Sequence, residues 1–256
     1  MKVPVLTRFL AATLGACFLV CAGLPGQAGA RDRAEVLNTR EQSIVAIAAF
    51  TAKGDVERLK RALEAGLNCG MTVNEEREIL IQMYAYTGFP RSLTALNTLI
   101  ALLDERKARG IEDNVGREAT PLPAGADIRK VGTANQTAIV GRPVSGRVFE
   151  FAPAIDTYLK EHLFGDIFAR DLLSFREREL ATVSALASLP APDQLRSHLN
   201  CCLVVGWTAE ELHGFVNVLS VQVGKEEAGL AGHELGRVLE ARARADAGQP
   251  AGKESR

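Results

Sequence analysis

Two side chains in the second half of the chain, Glu179 and His198, have residue types suited to acid–base chemistry. A carboxylate beside an imidazole fixes one tautomer of the ring and raises its basicity. A ring held in this way can give or take a proton during a reaction. The two residues fall on consecutive predicted helices. If these helices pack antiparallel, we expect a contact within about 2.6–3.2 Å, or one through a water.

Two cysteines, Cys201 and Cys202, follow His198 by about one helical turn and are the candidate redox residues. Peroxide reduction needs a thiolate to attack the O–O bond and a second thiol to resolve the product. The simpler interpretation is that Cys201, Cys202 and Cys69 are small packing residues on helices. A disulfide between the neighbours Cys201 and Cys202 would need a strained ring, because disulfide geometry is narrowly constrained.

The remaining composition argues against other kinds of site. The chain has no phosphate-binding glycine loop, dinucleotide fingerprint, H-E-x-x-H or C-x-x-C motif, so we expect neither a metal nor a cofactor. Its 30 basic residues balance 31 acidic ones, and no basic run alternates with aromatics. We therefore expect no nucleic-acid partner. The other three histidines, His162, His213 and His233, lack a comparable setting.

The elements that carry these residues form an internal repeat. A shift of 136 positions aligns residues 37–88 with residues 173–224 without a gap. The identical pairs fall where helices begin or end, which marks each copy as one structural unit. They include Gly70 and Gly206, Thr72 and Thr208, and Gly88 and Gly224.

Each copy predicts four helices and no strand, so the fold class is all-α. Capping boxes are predicted at Thr39 with Gln42 and at Ser174 with Glu177, and again where the third helices begin. Apolar residues then recur at helical spacing. The predicted organisation is a first repeat over 31–110, a linker over 111–146, a second repeat over 147–245 and a polar tail over 246–256. The linker is rich in Gly, Pro, Thr and Asp and predicts a long loop. Residues 151–170 predict one leading helix of the second unit.

The first thirty residues have the pattern of a secretory signal peptide. Lys2 and Arg8 precede an almost wholly apolar run from Phe9 to Leu24, and Ala28-Gly29-Ala30 is a cleavage signature. We expect a mature N-terminus near Arg31 and a periplasmic or secreted protein with no membrane association after cleavage. The apolar run is shorter than the ~20 residues of a membrane-spanning helix.

Several segments together resemble the carboxymuconolactone decarboxylase family of the alkylhydroperoxidase-like superfamily. In the second copy they are residues 162–170, 176–187, 195–198 and 206–212, and in the first copy residues 76–82 and 84–93. The resemblance implies two tandem alkylhydroperoxidase-like four-helix units joined by a long loop. It covers nearly the whole chain after the signal, apart from the linker.

The resemblance also implies roles for single positions. Glu179 and His198 match the family's acid–base positions, which makes them the candidate catalytic residues. Ala191 and Gln194 stand where the peroxidase relatives have two cysteines, so that redox pair is missing. In the first copy, Ser43 and Ala62 stand at the glutamate and histidine positions. The first repeat therefore has a degenerate site, and we expect it to be structural.

Three functions follow from these observations. The first is a cofactor-independent decarboxylase-like enzyme acting on a small carboxylated or lactone substrate. The second is a peroxiredoxin-type alkylhydroperoxidase using Cys201 or Cys202. The third is a non-enzymatic exported scaffold of the same fold. Because single-repeat relatives form rings of subunits, the resemblance also implies a homo-oligomer, for which we expect a trimer.

Overall fold

The structure is a computed structural model that describes residues 36–248. The predicted signal peptide, the expected cleavage site at Arg31 and all but the start of the polar tail lie outside the described residues. Within residues 36–248 the regular elements are all helices, as predicted. Each helix within these residues is too short or too polar to span a lipid bilayer.

The first repeat consists of α1 (Thr39–Lys53), α2 (Val56–Asn68) and α3 (Val73–Ala108). Gly88 divides α3 with non-helical backbone at φ 77° and ψ 163°, so its two halves are the predicted third and fourth helices. The positive φ at this bend is one that glycine adopts without steric cost. The predicted four-helix pattern is therefore present.

The linker is not a continuous loop, which corrects the prediction. It contains α4 (Ile128–Val140), capped by the side chain of Asp127. Gly132 lowers helix propensity in the sequence, but the structure requires it. A Cβ at this position would lie 1.6 Å from the carbonyl oxygen of Lys160, so only glycine lets the two backbones approach. Tertiary packing therefore forms a helix that the local sequence does not predict.

The leading helix predicted over 151–170 is not one regular α-helix. It corresponds to α6 (Pro153–Thr157) and a π-helix (Tyr158–Ile167), and a further short helix, α5 (Arg147–Phe151), precedes them. Pro153 begins α6, where its missing N–H costs no hydrogen bond. The π-helix packs against α4, and this pair adds a wall to the second repeat.

The second repeat continues with α7 (Phe175–Ser188), α8 (Pro192–Val204), α9 (Ala209–Val218) and α10 (Lys225–Asp246). A short π-helix (Leu219–Val223) joins α9 to Gly224. The helix starts keep the offset of 136 found in the sequence. Pro192 follows Val56 by that number of positions, and Ala209 follows Val73 by the same number. The two-repeat arrangement is therefore confirmed.

The capping boxes at Ser174, Thr72 and Thr208 are present as predicted. The box at Thr39 with Gln42 is wrong by one residue. Asn38 and Glu41 form it, with both backbone-to-side-chain bonds at 2.9 Å. Gln42 instead donates to the carbonyl of Leu37, a residue that is 1% exposed. Burial of Leu37 just before the cap fixes where the helix begins.

The two repeats pack through α1 and α7, and one apolar core runs through both. Arg40 donates to Glu177 at 2.7 Å, while Arg176 lies 3.9 Å from Glu41. These two ion pairs exchange under the 136-residue offset. Such reciprocity is the pattern of a twofold-symmetric interface, and it indicates a pseudo-twofold relation between the repeats.

Candidate active site

Glu179 on α7 and His198 on α8 meet in the second repeat. Glu179 Oε2 lies 2.8 Å from His198 Nδ1, within the predicted range. The Glu179 side chain is fully buried, whereas that of His198 is 18% exposed. The predicted contact is therefore present. The catalytic role of the pair stays a prediction.

The neighbouring arginines do not compete for Glu179. Arg178 is fully buried and donates to Glu78 on α3 at 2.8 Å. Arg176 pairs with Glu211 at 2.9 Å and lies over the Trp207 ring. Glu179 therefore neither faces solvent nor pairs with one of these arginines, because it is buried against His198 and both arginines have other partners.

The electrostatics of the pair favour a protonated ring. Burial lowers the pKa of His198, but the charge of Glu179 and the hydrogen bond to it raise the pKa, and the net result lies above the usual histidine value. With Nδ1 directed to Glu179, Nε2 is the ring nitrogen free to exchange a proton with a ligand.

His198 lines a pocket of about 740 Å³, here called the His198 pocket. Its buried lining includes Cys201, Leu163 and Phe164, and its exposed lining includes Arg142 and Arg242. Helices α8 and α10, the linker and the π-helix all contribute residues to its lining. The volume falls within the ~300–1,000 Å³ typical of small-molecule sites.

The candidate redox residues divide into two settings. Cys201 and Cys202 are buried on α8 without a disulfide, and Cys201 lines the His198 pocket. Burial, followed by the charge of Glu179, raises the pKa of Cys201 to about 12. The same causes raise the pKa of Cys202 well above the usual thiol value. Cys69 is exposed at the end of α2, so its interpretation as a packing residue is wrong.

Tyr86 is a pocket residue that sequence reasoning missed as part of the site. It comes from α3 of the first repeat, and its ring meets that of His198 edge-on at 6.1 Å between centroids. Its hydroxyl is buried without a hydrogen bond of normal geometry. Nearby Thr182 already donates to the Arg178 carbonyl and accepts from Gln82. Burial, then the charge of Glu179, raises the pKa of Tyr86.

Glu179, His198 and Cys201 also form one group that could offer donor atoms to a metal ion. The three candidate ligand atoms lie within 4.8 Å of one another. Two of these residues, Glu179 and His198, are already joined by a hydrogen bond. Acid–base chemistry at His198 requires no metal.

The first repeat lacks the pair, as expected. Ser43 donates its hydroxyl to the Thr39 carbonyl at 2.9 Å, and Ala62 is buried at the position that corresponds to His198. His162 lies on the π-helix. It contacts the Tyr84 hydroxyl at 3.0 Å and Asp166 at 2.9 Å.

Comparison with known proteins agrees with the repeat. The model of the carboxymuconolactone decarboxylase family matches residues 26–101 and 153–231. A 4-carboxymuconolactone decarboxylase from Acinetobacter baylyi is 27% identical over 108 residues, which cover 41% of this chain and 81% of the relative. A crystal structure named as a gamma-carboxymuconolactone decarboxylase subunit from Burkholderia xenovorans LB400 has a TM-score of 0.49 at 23% identity, covering 86% of this chain and 84% of that one.

Proposed function

Because the chain belongs to the carboxymuconolactone decarboxylase family, we propose that it is a cofactor-independent, decarboxylase-like enzyme that acts on a small carboxylated or lactone substrate. The observation that carries the proposal is the Glu179–His198 contact of 2.8 Å beside a pocket of ligand size. The A. baylyi relative, named as a decarboxylase of 4-carboxymuconolactone, supports the reaction type.

The proposed chemistry assigns one role to each member of the pair. The bond between the carboxylate and the adjacent carbon breaks, CO2 leaves, and the electron pair passes into the substrate's own lactone or keto group. His198 then gives its Nε2 proton to the carbon and regains one from water. Glu179 fixes the ring and stabilises its protonated form. The raised pKa of His198 favours this role as a proton donor.

Release of CO2 tests the proposal. We expect wild-type protein to release CO2 from at least one member of a panel of carboxylated lactones and β-keto acids, beginning with 4-carboxymuconolactone. His198→Ala should lower turnover by about 10²–10⁴-fold, the usual contribution of a positioned acid or base. His213→Ala changes an exposed histidine on α9 and is the matched control. Equal turnover of His198→Ala and wild type would end the mechanism.

The alternative is a peroxidase that uses Cys201, favoured by the position of that thiol beside His198. Its raised pKa argues against the alternative, because the thiolate is the nucleophile. Mass spectrometry after dilute peroxide separates the two functions. Sulfenic acid at Cys201 would support the peroxidase, and an unmodified Cys201 the decarboxylase. A protein with neither activity would support the exported scaffold.

We also propose that the protein is exported to the periplasm or beyond and that it self-associates, with a trimer as the expected state. The N-terminal signal-peptide pattern supports the first proposal. Light scattering of the purified chain would measure the second.

A further inference from the structure

The His198 pocket has an uneven charge that the acid–base pair does not explain. Four arginines line it, and the residues that the structure describes add no aspartate or glutamate to the lining. Arg196 is already neutralised by Glu234 at 2.6 Å, and Arg237 lies 3.8 Å from the same carboxylate. Arg142 and Arg242 make no ion pair within residues 36–248, and both are exposed. Two uncompensated guanidinium groups therefore belong to the lining of one pocket at exposed positions, and such groups bind carboxylates well.

The interior of the pocket, in contrast to its charged exposed residues, is apolar. Its walls are mainly apolar, and burying an apolar ligand surface there is favourable. The apolar side chains come from the linker, from the segments that precede α7 and from α10: Val140, Val144, Phe149, Leu159, Phe164 and Val238.

The volume of the pocket indicates how large its ligand is. At about 740 Å³, the pocket lies in the upper part of the usual range for small-molecule sites. A single lactone ring would leave most of the apolar wall uncovered. A ligand that fills the pocket needs a larger apolar body between the arginines at the exposed side and His198 beside buried Cys201.

We infer that the substrate is an amphipathic carboxylate whose apolar body is larger than one ring, and that Arg142 and Arg242 bind its carboxylate. This inference rests on the proposed function for the identity of the reacting group. The carboxylate bound by the arginines is retained, because His198 acts on the part of the substrate inside the pocket. The linker supplies Arg142, Val140 and Val144, so it determines substrate specificity.

Three probes test this inference by calorimetry on the whole protein. 2-Naphthoate is apolar and anionic, 2-naphthamide has the same shape without the charge, and 5-oxotetrahydrofuran-2-carboxylate is anionic with one ring. We expect 2-naphthoate to bind at least about tenfold more tightly than either of the others. It forms a charge-assisted hydrogen bond that the amide lacks, which contributes roughly that factor, and it buries a larger apolar surface than the one-ring acid. Equal affinity for 2-naphthoate and 2-naphthamide would overturn the carboxylate site, and tighter binding of the one-ring acid would overturn the size argument.

Variants assign the effect to residues. The double variant Arg142→Gln, Arg242→Gln should lose the preference for 2-naphthoate over 2-naphthamide and bind the amide as before. Retained binding of the amide shows that the pocket is still folded. Arg147→Gln is the control, because Arg147 is also exposed but does not line the pocket. An unchanged preference in the double variant would contradict the assignment.

One further variant separates this inference from the proposed function. His198→Gln removes the proton donor and leaves both arginines in place, so 2-naphthoate should bind to it with nearly wild-type affinity. If probe binding follows the expectations and no substrate is decarboxylated, the proposed function fails and the carboxylate site stands. If decarboxylation is found and probe binding does not depend on the arginines, the carboxylate site fails alone.

Discussion

Tyr86 of the first repeat and His198 of the second meet edge-on, with ring centroids 6.1 Å apart. The first repeat therefore contributes a side chain to the pocket beside the acid–base pair, although it has no such pair of its own. The Tyr86 hydroxyl lies buried near the charge of Glu179. The contact makes the candidate active site a product of both repeats.

The first prediction concerns this hydroxyl. A buried polar group without a partner costs about 1–3 kcal/mol. We expect Tyr86→Phe to keep the ring contact with His198 and to raise the melting temperature or leave it unchanged. Tyr86→Ala should instead destabilise the protein by several kcal/mol, through loss of aromatic packing. Thermal unfolding followed by circular dichroism measures both. A lower melting temperature for Tyr86→Phe would mean that the hydroxyl has a stabilising partner.

The second prediction is the pH dependence of turnover. If protonated His198 donates to the carbanion, kcat/KM should be highest at low pH and fall as pH rises through the pKa of His198. That pKa lies above the ordinary value, so the fall should be centred above about 6.5. A rate that increases through this range would instead identify neutral His198 as a base that removes a substrate proton.

The third prediction concerns Glu179. Without its charge, burial alone should act on His198 and lower the pKa of the ring. We expect Glu179→Gln to move the His198 titration measured by NMR to lower pH and to reduce turnover by about 10–100-fold, less than His198→Ala. Substitution of exposed Glu226 by Gln is the control, because Glu226 does not line the pocket. An unchanged His198 titration in Glu179→Gln would contradict the electrostatic argument.

The Glu179–His198 pair also makes the stability of the folded protein depend on pH. Because the folded pKa of His198 is raised, its contribution to stability is fully present below about 6.5, the unfolded value, and is lost as pH rises through the folded pKa.

The fourth prediction concerns Glu76 on α3, whose side chain is fully buried and whose two oxygens lack hydrogen bonds of normal geometry. Burial, then the charge of Asp113, raises the pKa of Glu76 to about 9. The folded state therefore binds a proton that the unfolded state releases above its pKa of about 4.3. Stability contributed by this group is present below that value and is lost as pH rises toward about 9.

Glu76→Gln removes that ionisation. We expect the variant to gain stability relative to wild type as pH rises from 5 to 8 in urea unfolding, by up to roughly 1.4 kcal/mol for each pH unit. A constant difference between the two proteins across this range would show that Glu76 does not titrate in this way. Glu75→Gln, at the partly exposed neighbouring position, should not reproduce the trend.

The fifth prediction is export. N-terminal sequencing of material recovered from the periplasm or the medium should begin near Arg31, as the cleavage signature indicates. A protein that retains Met1 would contradict the proposal.

The two repeats could be predicted from the sequence because they depend on short-range signals. The meeting of Glu179 with His198 was predicted from the family resemblance, together with the placement of the two residues on consecutive helices. Capping residues and glycines fix where each helix begins and ends, and those positions determine which side chains two adjacent helices bring together. The error at Thr39 has the same origin, since Asn38 with Glu41 satisfies the same local pattern one residue earlier.

The pocket could not be predicted in the same way. Gly132 lowers the helical propensity of the linker, and its purpose is visible only when the carbonyl of Lys160 lies against it. Tyr86 and His198 lie 112 positions apart in the sequence, and no periodicity connects them. Contacts of this kind are made by packing between units, for which a single sequence has no local signal.

Two halves of the chain pack against each other symmetrically, as the reciprocal ion pairs of Arg40 with Glu177 and Arg176 with Glu41 show. Two identical subunits would have to carry the same residues at both ends of such an interface. Joining them in one polypeptide removes that obligation, so each half can accept substitutions that the other does not share. The two halves differ in this way at the site: the first has Ser43 and Ala62 where the second has Glu179 and His198. For the proposed site, the expected stoichiometry is one ligand for each pair of repeats.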